Sequence, residues 1–189
     1  MDERGTITGH FLAHWGVPSS IHPRDLPSVS TFAVLVFAPQ GTRRSWRYAT
    51  NGMSTYLQEH PDPSVRVRTE LYASSENRAD WVENLLAAVA TYPIDYSTYL
   101  AEGDTINVGQ PIDCNQSPYE AILLAPPSPC DSVTLGTVGG VREDILVHQV
   151  VGVYESEVDY ATRNGWKVLW QRLAARGELP LDGARSSVA

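Results

Sequence analysis

The 189-residue sequence is short of cysteine, of long apolar runs and, through its middle, of positive charge. Its two cysteines, Cys114 and Cys130, stand in Pro- and Asp-rich segments without Cys-x-x-Cys spacing. A reduced pair is the expectation, not a disulfide framework or a zinc site. No stretch approaches the roughly 18 apolar residues of a membrane-crossing helix. The first six residues have neither the basic start nor the apolar run of a secretory signal, so a cytoplasmic, membrane-free protein is expected. Between positions 79 and 162 Arg142 is the single base against thirteen acids, which puts this segment at −12 within a chain of net charge −8. That distribution argues against nucleic-acid binding, which needs a basic surface to displace counterions. It favours a basic protein partner, with Asp80 to Asp159 as the working surface.

Catalytic patterns are equally sparse. His10 and His14 have the i, i+4 spacing of a zinc pair, but the Glu of a zincin motif is missing and no further ligand stands nearby. Ser54 follows Gly52 as in a nucleophile elbow, yet Tyr56 occupies the second glycine position. Gly136 to Gly140 matches neither a dinucleotide fingerprint nor a Walker loop and reads as a hairpin. His148 lies in an apolar strand, where a satisfied strand residue is the simpler reading. No catalytic residue, metal or cofactor is assigned. The enzymatic alternative is a small hydrolase built from Glu70, Asp104 and His148, which requires those three side chains to share a pocket.

What is present is an ordinary globular composition, 42% hydrophobic and 19% charged, in a length suited to one domain. Ile7, Phe11 and Trp15 repeat at helical spacing and predict a helix over 6–15, ended by Gly16 and Pro18. A Pro- and Ser-rich loop over 17–30 leads to Thr31–Ala38, apolar on both faces like a central strand. Arg44–Thr50 and Val65–Ala73 alternate as strands with one buried face. Ser75 can cap a helix over 76–92 that Pro93 stops. Strands follow at Thr105–Val108, Ala121–Ala125, Val133–Val138 and Ile145–Tyr154. Ser156 opens one helix, and Trp166–Arg176 forms a docked last one. This order predicts an α+β fold, a mixed, mainly antiparallel sheet with helices over one face, in a single compact domain. The organisation is a helix and loop over 1–29, a domain over 30–177, and a flexible tail over 178–189 with little to bury.

Three stretches together resemble the suppressor-of-fused family. The first runs from Trp46 to Ser54 and on to Arg68-Thr69-Glu70-Leu71-Tyr72. The second is the helix carrying Trp81, Leu85 and Tyr92, followed by Gly103-Asp104 and Pro111-Ile112-Asp113. The third is Gln149 to Val158, ending in Ala161 and Asn164-Gly165. The resemblance implies a non-enzymatic α+β domain that binds and restrains other proteins. Eukaryotic members sequester Gli-type transcription factors; bacterial single-domain members resemble immunity proteins of polymorphic toxin systems. The short length, without a second lobe, favours the bacterial type. Tyr92 and Asp104 match positions where eukaryotic members contact a peptide, and the neighbouring acids Asp95, Glu102 and Asp113 complete the partner-binding candidates. A toxin-neutralising immunity protein is thus the leading expectation, an adaptor sequestering an endogenous regulator the alternative, and the oligomeric state stays open.

Overall fold

In the computed structural model of the chain, which describes residues 3–26, 29–127 and 145–189, the apolar run Phe32–Phe37 forms the heart of one seven-stranded sheet. All six of its side chains are buried, as a strand covered on both faces requires. It belongs to β2 (Val29–Phe37), flanked by β1 (Ser20–Leu26) and β3 (Trp46–Asn51) in antiparallel register. A 3-10 turn at Met53–Thr55 follows β3, and β4 (Arg68–Ser75) returns antiparallel to it. The other half contains β5 (Thr105–Asn107), β6 (Ala121–Ala125) and β7 (Ile145–Val153), joined antiparallel. The two halves meet where β4 pairs with β7, the one parallel ladder among the described strands. The order is β1-β2-β3-β4-β7-β6-β5, leaving β1 and β5 at the edges.

The helices lie on both faces of the sheet, not one. α1 (Glu3–Trp15) sets Ile7, Phe11 and Trp15 against Leu35, Phe37, Ala49, Tyr72 and Val147. Each such aliphatic or aromatic side chain removed from water contributes roughly 1.5–3 kcal/mol. On the same face α4 (Trp166–Ala174), which follows α3 (Glu155–Asn164), buries Leu169 and Leu173 on Leu123 and Val151. The opposite face receives α2 (Asp80–Asp95), whose Val82, Leu86 and Val89 meet Val36, Tyr48, Leu71 and Val150. Side chains alternate between the two faces along the central strands, so odd residues of β7 face α1 and α4 while Val150 faces α2.

Several sequence expectations need correction. The loop predicted over 17–30 contains β1, whose alternating exposure and central Pro23 are those of an edge strand, where a missing N–H is tolerated. β4 is buried on both faces, because α1 covers the side that carries Glu70 and Tyr72. α2 starts at Asp80 with Ala79 as its cap, since the Ser75 hydroxyl instead donates to the Asn77 carbonyl at 2.7 Å. Pro93 sits inside α2, whose last turn runs on to Asp95 and forgoes one backbone hydrogen bond. In α3 the cap is Tyr154, with its N–H donating to the Glu157 carboxylate at 3.1 Å.

The segment expected to be a tail with little to bury is tied down along its length. Leu179 and Leu181 are buried, the Leu181 N–H donates to the Ser74 carbonyl at 2.8 Å, and Asp182 accepts the N–H groups of Glu76 and Asn77. Arg185 reaches the fully buried Glu157. The predicted strand at Val133–Val138, the glycine run 136–140, Cys130 and Arg142 lie outside the described residues.

Candidate partner-binding site

The sequence motif around Trp46–Ser54 and Arg68–Tyr72 is accounted for by one carboxylate. β3 and β4 part after Ala49↔Tyr72, and the Glu70 side chain fills the fork. It accepts the Gly52 N–H at 3.0 Å, the Ser54 N–H at 3.0 Å, the Ser54 hydroxyl at 2.7 Å and the Thr50 hydroxyl at 2.6 Å. Gly52 holds φ 110°, a left-handed turn that glycine adopts without strain. Complete burial pushes the Glu70 carboxyl above its usual range, opposed by these four donors. Glu70 is therefore a structural brace, and Ser54, whose hydroxyl it consumes, is no free nucleophile.

His148 points to the other face. Glu70 pairs in register with Val147, and His148 with Leu71, so the Glu70 and His148 side chains leave the sheet in opposite directions. His148 is 1% exposed, and desolvation depresses its pKa to about 4. Asp104 precedes the edge strand β5, with its backbone paired to Leu124 of β6. The trio that a hydrolase would need is not assembled. Among the described residues, no three His, Cys, Asp or Glu side chains gather to hold a metal.

The partner-binding candidates Tyr92, Asp95, Glu102 and Asp104 follow one another from the last turns of α2 to the start of β5. α2 ends in Tyr92, half-buried on the core, and Tyr96, 67% exposed, with ring centroids 4.5 Å apart. Asp95 closes α2 and is exposed. A carboxylate at the negative pole of a helix opposes its stability, so stability does not explain this placement. The chain then turns through Ser97, at φ 47°, and the Leu100 N–H is caught by the buried Gln58 side chain at 2.8 Å. Glu102 is exposed, and the Asp104 carboxylate accepts the Ala101 N–H at 2.8 Å. Gly103 is fixed by two demands: φ is 93°, and an added Cβ would lie 2.3 Å from the Trp166 ring. The loop bearing Glu102 and Asp104 is thereby packed against α4.

Beyond it runs β5, three residues long and hydrogen-bonded on the β6 side. Among the described residues no strand pairs with its far side, which is a sheet edge of the kind that can accept another strand. Asp113 differs from the other candidates. Its carboxylate accepts the N–H groups of Asn115, Gln116 and Ser117 at 2.9–3.0 Å, which hold it below the usual carboxylate range and spend it on its own loop. Sequence reasoning passed over Tyr96, although its i, i+4 spacing from Tyr92 places both rings on one helix face.

The acidic segment is less uniform than its count implies. Glu83 and Glu157 are buried, paired with Arg24 of β1 and with Arg185, both outside the segment. Asp80, Asp95, Glu102, Glu120, Glu155 and Asp159 are exposed.

The family profile described as "Suppressor of fused protein (SUFU)" matches residues 29–185. The chain belongs to the suppressor-of-fused family. Among solved structures, a suppressor-of-fused homologue from Neisseria gonorrhoeae is similar over 100% of this chain and 98% of its own, at 19% identity and a TM-score of 0.75. A chain of the Sufu-Fu complex is similar over 97% of this chain and 91% of its own, at 18% identity and a TM-score of 0.70. Drosophila Suppressor of Fused shares 19% identity over 85% of this chain and 43% of its own length, at a TM-score of 0.60. No curated protein sequence gives a match. In extent, this suppressor-of-fused domain corresponds to the single-domain Neisseria homologue, and it shares its fold with a chain of the Sufu-Fu complex.

Proposed function

We propose that this suppressor-of-fused domain is a non-catalytic binding module that captures a segment of a partner protein along the β5 edge of its sheet. The observation that carries the reading is that edge itself, a strand paired on one side among the described residues, reached from the exposed Tyr96 and the Tyr92 ring at the end of α2 through the loop 97–104. An extended peptide can add to such an edge through main-chain hydrogen bonds, while aromatic and charged neighbours select its side chains. Glu102 and Asp104 in the loop entering β5, with Asp95 at the end of α2, give this stretch negative charge, which favours a basic partner. The family membership supports the binding role, and the specific version, in which the partner is a toxin that this domain neutralises, follows from the resemblance of bacterial single-domain members to immunity proteins.

The test is co-expression with the product of the neighbouring open reading frame. Co-purification and rescue of growth are expected, with Tyr96→Ala weakening the complex about 30-fold, the effect of losing one aromatic anchor worth about 2 kcal/mol. Failure to copurify or to rescue growth overturns the toxin version; capture of a different, endogenous protein by wild type but not by Tyr96→Ala favours the sequestering adaptor.

A further inference from the structure

Between the loop after the 3-10 turn and the loop after α2 the chain forms a cleft that the binding reading above does not use. Glu59, His60, Pro61, Ser97, Thr98 and Tyr99 enclose about 210 Å³ there. That is below the roughly 300–1,000 Å³ of small-molecule sites, so the space suits one side chain. Its walls are tied together from beneath by Gln58, which donates its N–H to the Val67 carbonyl at 3.0 Å and accepts the Leu100 N–H at 2.8 Å. The His60 and Tyr99 rings stand 4.5 Å apart at 53°, and the His60 ring is held by the Asp62 N–H, which donates to its Nδ1 at 3.0 Å. Ser97 adopts a left-handed φ of 47°, unfavourable for a residue with a side chain, in the turn that brings Thr98 and Tyr99 to the cleft.

The electrostatics of this cleft point one way. Neither Lys nor Arg lines it, Glu59 contributes a carboxylate, and the loop that forms one wall leaves the C-terminal end of α2, where the helix carbonyls and Asp95 add negative potential. Tyr99 offers a ring face to a cation. The same molecule already holds a guanidinium by this combination. Arg185 sits 5.2 Å and 5.3 Å from the Tyr119 and Tyr154 ring centroids and bonds the Glu157 carboxylate at 2.6 Å.

We propose that the Glu59–His60–Tyr99 cleft is a specificity pocket for one arginine side chain of the partner protein. This rests on the binding reading, and it adds what that reading lacks, a side-chain requirement on the partner. The Glu59 carboxylate pairs with the guanidinium, and the Tyr99 ring covers its face.

The test is an amide-resolved NMR titration of the full chain with N-acetyl-arginine methylamide, beside the neutral isostere N-acetyl-citrulline methylamide and the lysine analogue. Saturable shifts confined to residues 58–61 and 97–101 are expected with the arginine probe, weaker by about five-fold or more with either control and on Glu59→Gln or Tyr99→Ala. Absence of saturable shifts in the cleft, an equal response to citrulline or lysine, or indifference to both substitutions overturns the assignment. Partner capture that is lost in Tyr96→Ala but unchanged in Glu59→Gln and Tyr99→Ala overturns the arginine pocket alone and leaves edge binding intact.

Discussion

Single side chains carry much of what makes this fold specific. Glu70 answers four donors at the fork of β3 and β4, and Glu70→Ala leaves the N–H groups of Gly52 and Ser54 buried without an acceptor. The expected loss is on the order of 3 kcal/mol, read as a fall in thermal midpoint of roughly 10 °C. His148 makes a prediction with a definite sign. Its folded pKa of about 4 lies below the ordinary value of 6.5, so the unfolded chain takes up the proton first. Its contribution is complete above pH 6.5 and is lost as pH falls towards 4, about 2 kcal/mol by pH 5. Denaturant midpoints of wild type and His148→Leu at pH 7 and pH 5 check this, with the variant expected to be flat across the interval. Both residues stood out in the sequence, but as possible chemistry. Alternation along β4 separated Glu70 from Leu71, yet nothing in the sequence revealed that β4 and β7 pair in the register that turns Glu70 and His148 to opposite faces.

At the scale of elements, legibility followed the strength of the local pattern. The stripe Ile7, Phe11, Trp15 and the run Phe32–Phe37 were readable because full burial leaves an unbroken apolar signal. β1 escaped because an edge strand is half solvated and admits Pro23, so it imitates a loop. The C-terminal strap escaped because two leucines and one arginine make a weak pattern, and its stability comes from distant partners. Arg185 also donates to the Gly152 carbonyl at 2.9 Å, while the Tyr119 hydroxyl donates to the Gly183 carbonyl at 2.6 Å. Removing Arg185 strands the buried Glu157 carboxylate, whose hydrogen bonds from Arg185, Val188 and Tyr154 hold it below the usual carboxylate range. Arg185→Ala is expected to cost about 3–5 kcal/mol in a urea titration at pH 7. That loss shrinks as acid protonates Glu157, because the pair stabilises only above the carboxyl's folded pKa. In β7, an added Cβ at Gly152 would lie 2.5 Å from the Tyr119 ring, so Gly152→Ala is expected to lose about 1–3 kcal/mol through overpacking.

The whole molecule separates its brace from its open edge. The Glu70 carboxylate and α1 hold the sheet at β3 and β4, while β5 is an edge strand among the described residues, reached from the end of α2 through the loop bearing Glu102 and Asp104. Of the proposed binding site, Tyr92, Asp95, Glu102 and Asp104 were named from the sequence and follow one another from the last turns of α2 to the start of β5, whereas Asp113 serves its loop and Tyr96 and Tyr99 went unnoticed. Charge counting found the sign of the surface but not its local cancellation by Arg24 and Arg185, which approach from elsewhere in the chain. If exposed carboxylates guide the partner, its association rate falls steeply with salt while the dissociation rate changes little. Stopped-flow measurements between 50 mM and 500 mM salt check that split.

The parallel ladder between β4 and β7 has a consequence for how the protein is made. β4 pairs with β7 from Arg68↔Ile145 onward, so its partner lies 77 positions later in the chain. At about 5–20 residues per second, a ribosome delivers that partner roughly 4–15 s after β4. Throughout that interval the nascent first half carries an apolar strand with one open side, in reach of other nascent chains. Synthesis, more than the finished fold, is therefore where this protein is most exposed to misassembly, and slower translation between β4 and β7 should lower its soluble yield.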